Sequence, residues 1–78
     1  MSKLQRRVYN ALFELFFHPD NDGQHITTSK IAEATGIKTD SVRRVLLDLC
    51  RGGVVELKKR WYGDRPRFRP AWEPGRDG

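Results

Sequence analysis

The stretch TSKIAEATGIKTDSVRRVLL, from Thr28 to Leu47, decides how this chain folds. Its apolar side chains recur three and four residues apart, the spacing that gathers them on one face of a helix. Ile31, Ala32 and Thr35 form one small face; Val42, Val45, Leu46 and Leu49 form another. Gly36 stands between the two. Glycine enters the left-handed region without a side-chain penalty, so it suits a corner between helices. Ile37 plugs the gap behind the corner, and the small Ala32 lets the helices approach. Thr39 is expected to cap the second helix, its hydroxyl accepting from an N–H that has no partner within the first turn. The pattern predicts a helix over 28–35 with Thr27 or Thr28 as cap, a sharp turn, and a helix over 40–51.

Downstream the period changes from helical to alternating. Gly52 or Gly53 suits the C-terminal cap. Residues 54–61, VVELKKRW, place Val55, Leu57, Lys59 and Trp61 on one face and Val54, Glu56, Lys58 and Arg60 on the other. Residues 62–66, YGDRP, are a turn. Residues 67–72, RFRPAW, return as a second strand with Phe68 opposite Arg67 and Arg69. Pro66 and Pro70 lack the N–H that a central strand donates, so the return strand is expected at a sheet edge. Residues 73–78, EPGRDG, read as a flexible tail behind one domain over 1–72.

Two short helices at a glycine corner, a Gly-Gly-Val-Val strand entry and a basic hairpin, in that order, resemble the winged helix-turn-helix superfamily over about residues 4–72. The resemblance implies an α+β fold, mainly α, with three helices and a C-terminal β-hairpin wing. It implies that the second helix of the motif enters the major groove of double-stranded DNA. It also favours a small strand at Gln24-His25-Ile26. The small size and the run RRVLLDL, Arg43 to Leu49, before Gly-Val resemble the short fimbrial-operon regulators of the PapI/FaeA type. The Phe-rich first helix and the Pro-rich end of the wing depart from that pattern.

On the second motif helix, Asp40, Arg43, Arg44, Leu47 and Arg51 point outward, with Ser41 on the flank and Lys38 and Thr39 at the entry. By the resemblance these positions read DNA. Arg43 and Arg44 lead, because a guanidinium can fork onto guanine O6 and N7 or onto a phosphate. Thr39 and Ser41 suit phosphates at a helix N-terminus. Leu47 either meets a thymine methyl or packs beneath the wing. Lys59, Arg60, Arg65, Arg67 and Arg69 would lay cations along the backbone or into a narrow minor groove.

The charge distribution agrees with this reading. The net charge is +5. Residues 38–69 hold ten basic against four acidic side chains, net +6, whereas residues 9–37 are net −3. An acidic half joined to a basic half suits an oriented encounter with a polyanion.

Residues 2–17, SKLQRRVYNALFELFF, read as a helix that ends before His18-Pro19, with Ser2 able to cap it. Leu4, Val8, Ala11, Leu12 and Leu15 make one stripe; Tyr9, Phe13, Phe16 and Phe17 fall on the other side. A helix apolar nearly all round is buried on both sides or sits at an interface. Either the Trp72 segment covers the rings, or Tyr9, Phe13 and Phe17 form a homodimer face. A dimer would match two half-sites one duplex turn apart.

Residues 18–26, HPDNDGQHI, form a polar loop. Its Asp20-Asn21-Asp22-Gly23 run lacks the ligand alternation and the closing glutamate of a calcium loop. His18 and His25 have no cysteine near them, so zinc is not expected. No cofactor is implied. The lone Cys50 excludes an internal disulfide and fits a reducing compartment. No apolar run reaches about 18 residues and no signal peptide opens the chain, so a cytoplasmic protein with no membrane partner is expected. No nucleophile–base pair, metal spacing or phosphate loop is visible, so an enzyme is not expected.

The leading expectation is therefore a small sequence-specific DNA-binding regulator. The alternative is a winged-helix interaction module with a protein partner, including a phage-type inhibitor that turns its basic face on a host nucleic-acid machine. RNA binding is a third reading.

Overall fold

The computed structural model describes residues 1–58 and 65–71. Lys59, Arg60, Trp61, residues 62–64, Trp72 and the 73–78 tail lie outside them, and with them the far end of the first hairpin strand and the suggested Trp72 cover. The elements are α1 (Lys3–Phe16), a 3-10 turn (Pro19–Asn21), β1 (Ile26–Thr27), α2 (Thr28–Thr35), α3 (Thr39–Arg51), β2 (Val55–Lys58) and β3 (Arg67–Pro70). The fold is α+β and mainly helical. Three helices pack with a three-stranded antiparallel sheet of order β1-β3-β2, a layout compatible with a winged helix.

Local chemistry sets the boundaries. Ser2 and Gln5 form a reciprocal capping box: the Gln5 N–H donates to the Ser2 hydroxyl at 3.1 Å, and the Ser2 N–H donates to Gln5 Oε1 at 2.9 Å. Thr27 caps α2 through its hydroxyl, which accepts from the Lys30 N–H at 3.4 Å. Gly36 ends α2 at φ 73°, its N–H donating to the Ala32 carbonyl at 2.8 Å. At the end of α3, Gly52 is the cap and Gly53, at φ 76°, takes the left-handed position. The Gly53 N–H donates to Cys50 O and the Val54 N–H to Leu49 O, the paired bonds of a Schellman motif.

The core takes Val8, Leu12 and Phe16 from α1, Ile31 from α2, and Val42, Val45, Leu46 and Leu49 from α3. Ile26, Val55 and Phe68 of the sheet close it. The four α3 residues are those that the heptad-like spacing assigns inward.

Four expectations need correction. Thr39 does not cap α3. The helix starts one residue earlier than the sequence spacing suggests, so Thr39 is its first helical residue and Lys38 occupies the cap position. Lys38 has no acceptor to offer, and no side chain caps this terminus. Phe16 belongs to the core at 8 % exposure, not to the outer aromatic face. Positions 8, 12 and 16 are four apart and continue one stripe, whereas Leu4 lies a turn before the core begins and is 40 % exposed.

Third, β3 is the central strand, not an edge. It pairs with β2 in the register Val55↔Pro70 to Lys58↔Arg67, and with β1 through Ile26↔Phe68 and Thr27↔Arg67. The Ala71 N–H donates to Val54 O at 2.9 Å, toward β2. Alternation along the strand then turns the Pro70 nitrogen toward the β1 side, past the end of that two-residue strand, where no bond is lost. Fourth, the small first strand covers Ile26–Thr27 instead of residues 24–26.

A candidate nucleic-acid interface

The corner between α2 and α3 is fixed by polar bonds as well as by Ile37. The Thr35 hydroxyl donates to Ile31 O at 2.8 Å and accepts from the Ile37 N–H at 3.2 Å. The Arg7 guanidinium of α1 reaches over to donate to Thr35 O at 3.0 Å, satisfying a carbonyl that the end of α2 leaves open. Thr35 is therefore a polar staple, a role that its place on an apolar face in the sequence did not signal.

With the corner fixed, α3 presents an outward face. Asp40, Arg43, Arg44, Leu47, Asp48 and Arg51 are exposed, and Ser41 is half-exposed. The two leading arginines lie on opposite flanks of that face, since successive helical positions turn by about 100°. Arg43 lines a cleft of about 420 Å³ with Thr27, Thr28 and Ser29 from the start of α2, Thr39 from the start of α3, and Arg65 and Pro66 from the approach to β3. Arg44 lines no part of that cleft and has no ion-pair or hydrogen-bond partner among the described residues. Arg43 pairs with Asp40 at 3.4 Å, and Arg51 with Asp48 at 3.5 Å, both three residues apart on the helix. With side chains this exposed, such pairs are weak and readily exchanged for another partner.

The predicted wing cations divide in the same way. Arg65 joins the cleft. Arg67 is exposed on β3. Arg69 is drawn inward: its guanidinium lies 5.0 Å from the centroid of the Phe16 ring, and its Nε is 3.7 Å from Glu56, its cross-strand neighbour. It acts as a lid on the core and is not brought together with Arg43 and Arg65. His25 packs its ring edge-on to Phe16 at 6.2 Å. Burial, then Lys58 and Arg69, hold its pKa below the usual 6.5; Glu56 opposes this and Arg67 adds to it. Lys38 is exposed at the entry to α3 and stands outside the cleft.

Sequence reasoning missed the contribution of α2. Thr27 and Thr28 were legible only as capping residues and Ser29 carried no role, yet all three line the cleft. The run of three hydroxyls directly upstream of Lys30 was the available signal. On α1, Tyr9, Phe13 and Phe17 form a row of rings 6.2 and 4.6 Å apart, and Phe17 is 37 % exposed. Leu47 and Leu57 are also exposed, at 40 % and 46 %. Among the described residues no helix is long and apolar enough to cross a membrane. Comparison with known proteins found no family model and no curated sequence that matches this chain.

Proposed function

We propose that this protein binds double-stranded DNA sequence-specifically and acts as a small transcriptional regulator of the winged-helix kind, resident in the cytoplasm. Helix α3 enters the major groove and the basic hairpin anchors the backbone. The observation that carries this reading is the convergence of Arg43 of α3 and Arg65 of the hairpin on one hydroxyl-lined cleft beside an exposed, arginine-bearing helix face. Such a surface offers forked cations and neutral donors to phosphates, while Arg44 is left to reach a base edge.

Selection of bound duplexes from a random pool tests it, followed by fluorescence anisotropy on the enriched site and on scrambled duplex. Enrichment of a defined motif, bound at least about a hundredfold more tightly than scrambled DNA, is the expected result. Failure to bind any duplex at about 50 mM salt would sink the reading.

The aromatic row on α1 favours a second possibility, that Tyr9, Phe13 and Phe17 meet a second copy of this chain or a protein partner. Light scattering with and without duplex distinguishes a dimer from a monomer. A palindromic selected site would accompany the dimer.

A further inference from the structure

The cleft shared by α2, α3 and the hairpin has the donor set for a single oxyanion. Thr28 is 7 % exposed and lines it. The Thr28 hydroxyl makes no hydrogen bond among the described residues, yet no buried side-chain oxygen is sealed off without a partner. The Thr28 oxygen therefore keeps access to solvent, and Thr28 lines the cleft. Ser29, exposed beside it, adds a second hydroxyl.

The opposite wall is the start of α3, and this is the helix terminus that lacks a side-chain cap. An uncapped helix start keeps N–H groups of its first turn without acceptors and carries the positive end of the helix dipole. Thr39, its first residue, lines the cleft. Two guanidiniums, Arg43 and Arg65, complete the lining from two separate elements. Among the described residues of the lining, every hydrogen-bonding side chain can donate and none is a carboxylate. Among the described residues, the carboxylate bonded to a lining side chain is Asp40, which pairs with Arg43 at 3.4 Å and is itself almost fully exposed.

We propose that this cleft seats one phosphate oxyanion, and, resting on the nucleic-acid reading above, that the occupant is a backbone phosphate held jointly by α2, α3 and the hairpin. The anion takes the place that a capping side chain would hold on α3. One phosphate then fixes the angle between the reading helix and the hairpin, because both contribute ligands to it.

Two arms test this on the full chain. In the first, amide resonances are followed by NMR while inorganic phosphate is added, with sodium chloride at matched ionic strength as control. Phosphate-specific shifts at Thr28, Ser29 and Thr39 are expected, and they should vanish in Thr28→Val, which keeps nearly the same shape without the hydroxyl. In the second, duplex affinity is measured for Thr28→Val, Ser29→Ala and Arg65→Ala. Each hydroxyl variant should bind about tenfold more weakly with an unchanged salt slope, because a charge-assisted hydrogen bond is lost and no cation is. Arg65→Ala should make the slope shallower by about one.

Because Ser29 is exposed, its variant keeps the second arm informative if Thr28→Val fails to fold. The proposal is overturned if phosphate shifts no amide more than chloride does, or if both hydroxyl variants bind duplex within about twofold of the parent. If the parent binds no duplex at all, the nucleic-acid reading falls. The phosphate titration then decides alone: localised shifts support a seat for free phosphate, and their absence overturns it.

Discussion

Replacing Arg44 with alanine separates base reading from general attraction to DNA. Arg44 is exposed on α3, outside the cleft and without a described hydrogen-bond or ion-pair partner. Its removal deletes no packing that the core needs, and alanine is the better helix former. Folding stability should therefore change by less than about 0.5 kcal/mol. In a domain of this size that is a shift of no more than about 4 °C in melting temperature. Binding should respond differently. A guanidinium forked onto a guanine contributes about 1–3 kcal/mol of discrimination, so affinity for the selected site should fall by about 5- to 150-fold. The assay is a cycle in anisotropy at fixed salt: parent and Arg44→Ala, each on the selected duplex and on duplexes changed at one base pair. At the base pair that Arg44 reads, the variant should no longer distinguish the right base from the wrong one, and the coupling should recover most of the loss. Arg43→Ala, on the cleft side, should instead weaken all duplexes alike. An Arg44→Ala loss equal on every duplex, with no coupling at any position, would refute this division of labour. A melting shift well beyond 4 °C would show that Arg44 has a structural role the exposed helix face does not reveal.

Three further outcomes follow from the fold. Gly36→Ala should cost about 1–2 kcal/mol by urea denaturation; an added Cβ meets nothing within 4 Å, so the cost is the left-handed backbone at φ 73° alone, and a neutral substitution would show that the corner relaxes. Phe68→Ala should cost about 3–5 kcal/mol, most of the stability of so small a domain; Phe68 is fully buried on the central strand, and a folded, cooperatively melting variant would contradict that placement. His25, whose pKa is held below 6.5, is more readily protonated in the unfolded chain. Its stabilising contribution is thus full above pH 6.5 and is lost as pH falls through the lower folded value. The difference in urea midpoint between parent and His25→Gln should shrink or reverse between about pH 7.5 and pH 5, and an unchanged difference would rule the linkage out.

How much of this was legible in the sequence depended on whether the determining contacts were local. The bounds of α2, the cap at Ser2 and the four inward residues of α3 follow from interactions within a few residues, and their spacing carried them. The cap of α3 did not. Thr39 is a good capping residue by type, but the tight turn after Gly36 brings Lys38 to the cap position. The position of β3 was misread because prolines exclude a central strand only where both neighbours run past them. Here β1 is two residues long and stops short of Pro70. Phe16 was misassigned, and the inward seat of Arg69 against it was not legible. Their pairing joins α1 to β3, and no local pattern reports a cation seated on a ring more than fifty residues away.

The same distinction explains the shape of the candidate site. Sequence placed the basic side chains in one region but could not say which of them share a surface. The sheet order decides that. Because β3 lies between β1 and β2, the chain entering β3 at Arg65-Pro66 arrives beside Thr27, where β1 hands over to α2. Had β3 been the edge strand, β1 would not have paired at Thr27↔Arg67, and nothing would tie the hairpin to the start of α2. The short first strand, only two residues long, is thus what brings Arg65 to the hydroxyls of α2 and to Arg43. Thr27→Pro would test that link: it removes the capping hydroxyl and restricts the backbone of Ile26, the residue opposite Phe68. It should loosen the hairpin and reduce DNA affinity, while the buried faces of α1 and α3 keep the helical core folded.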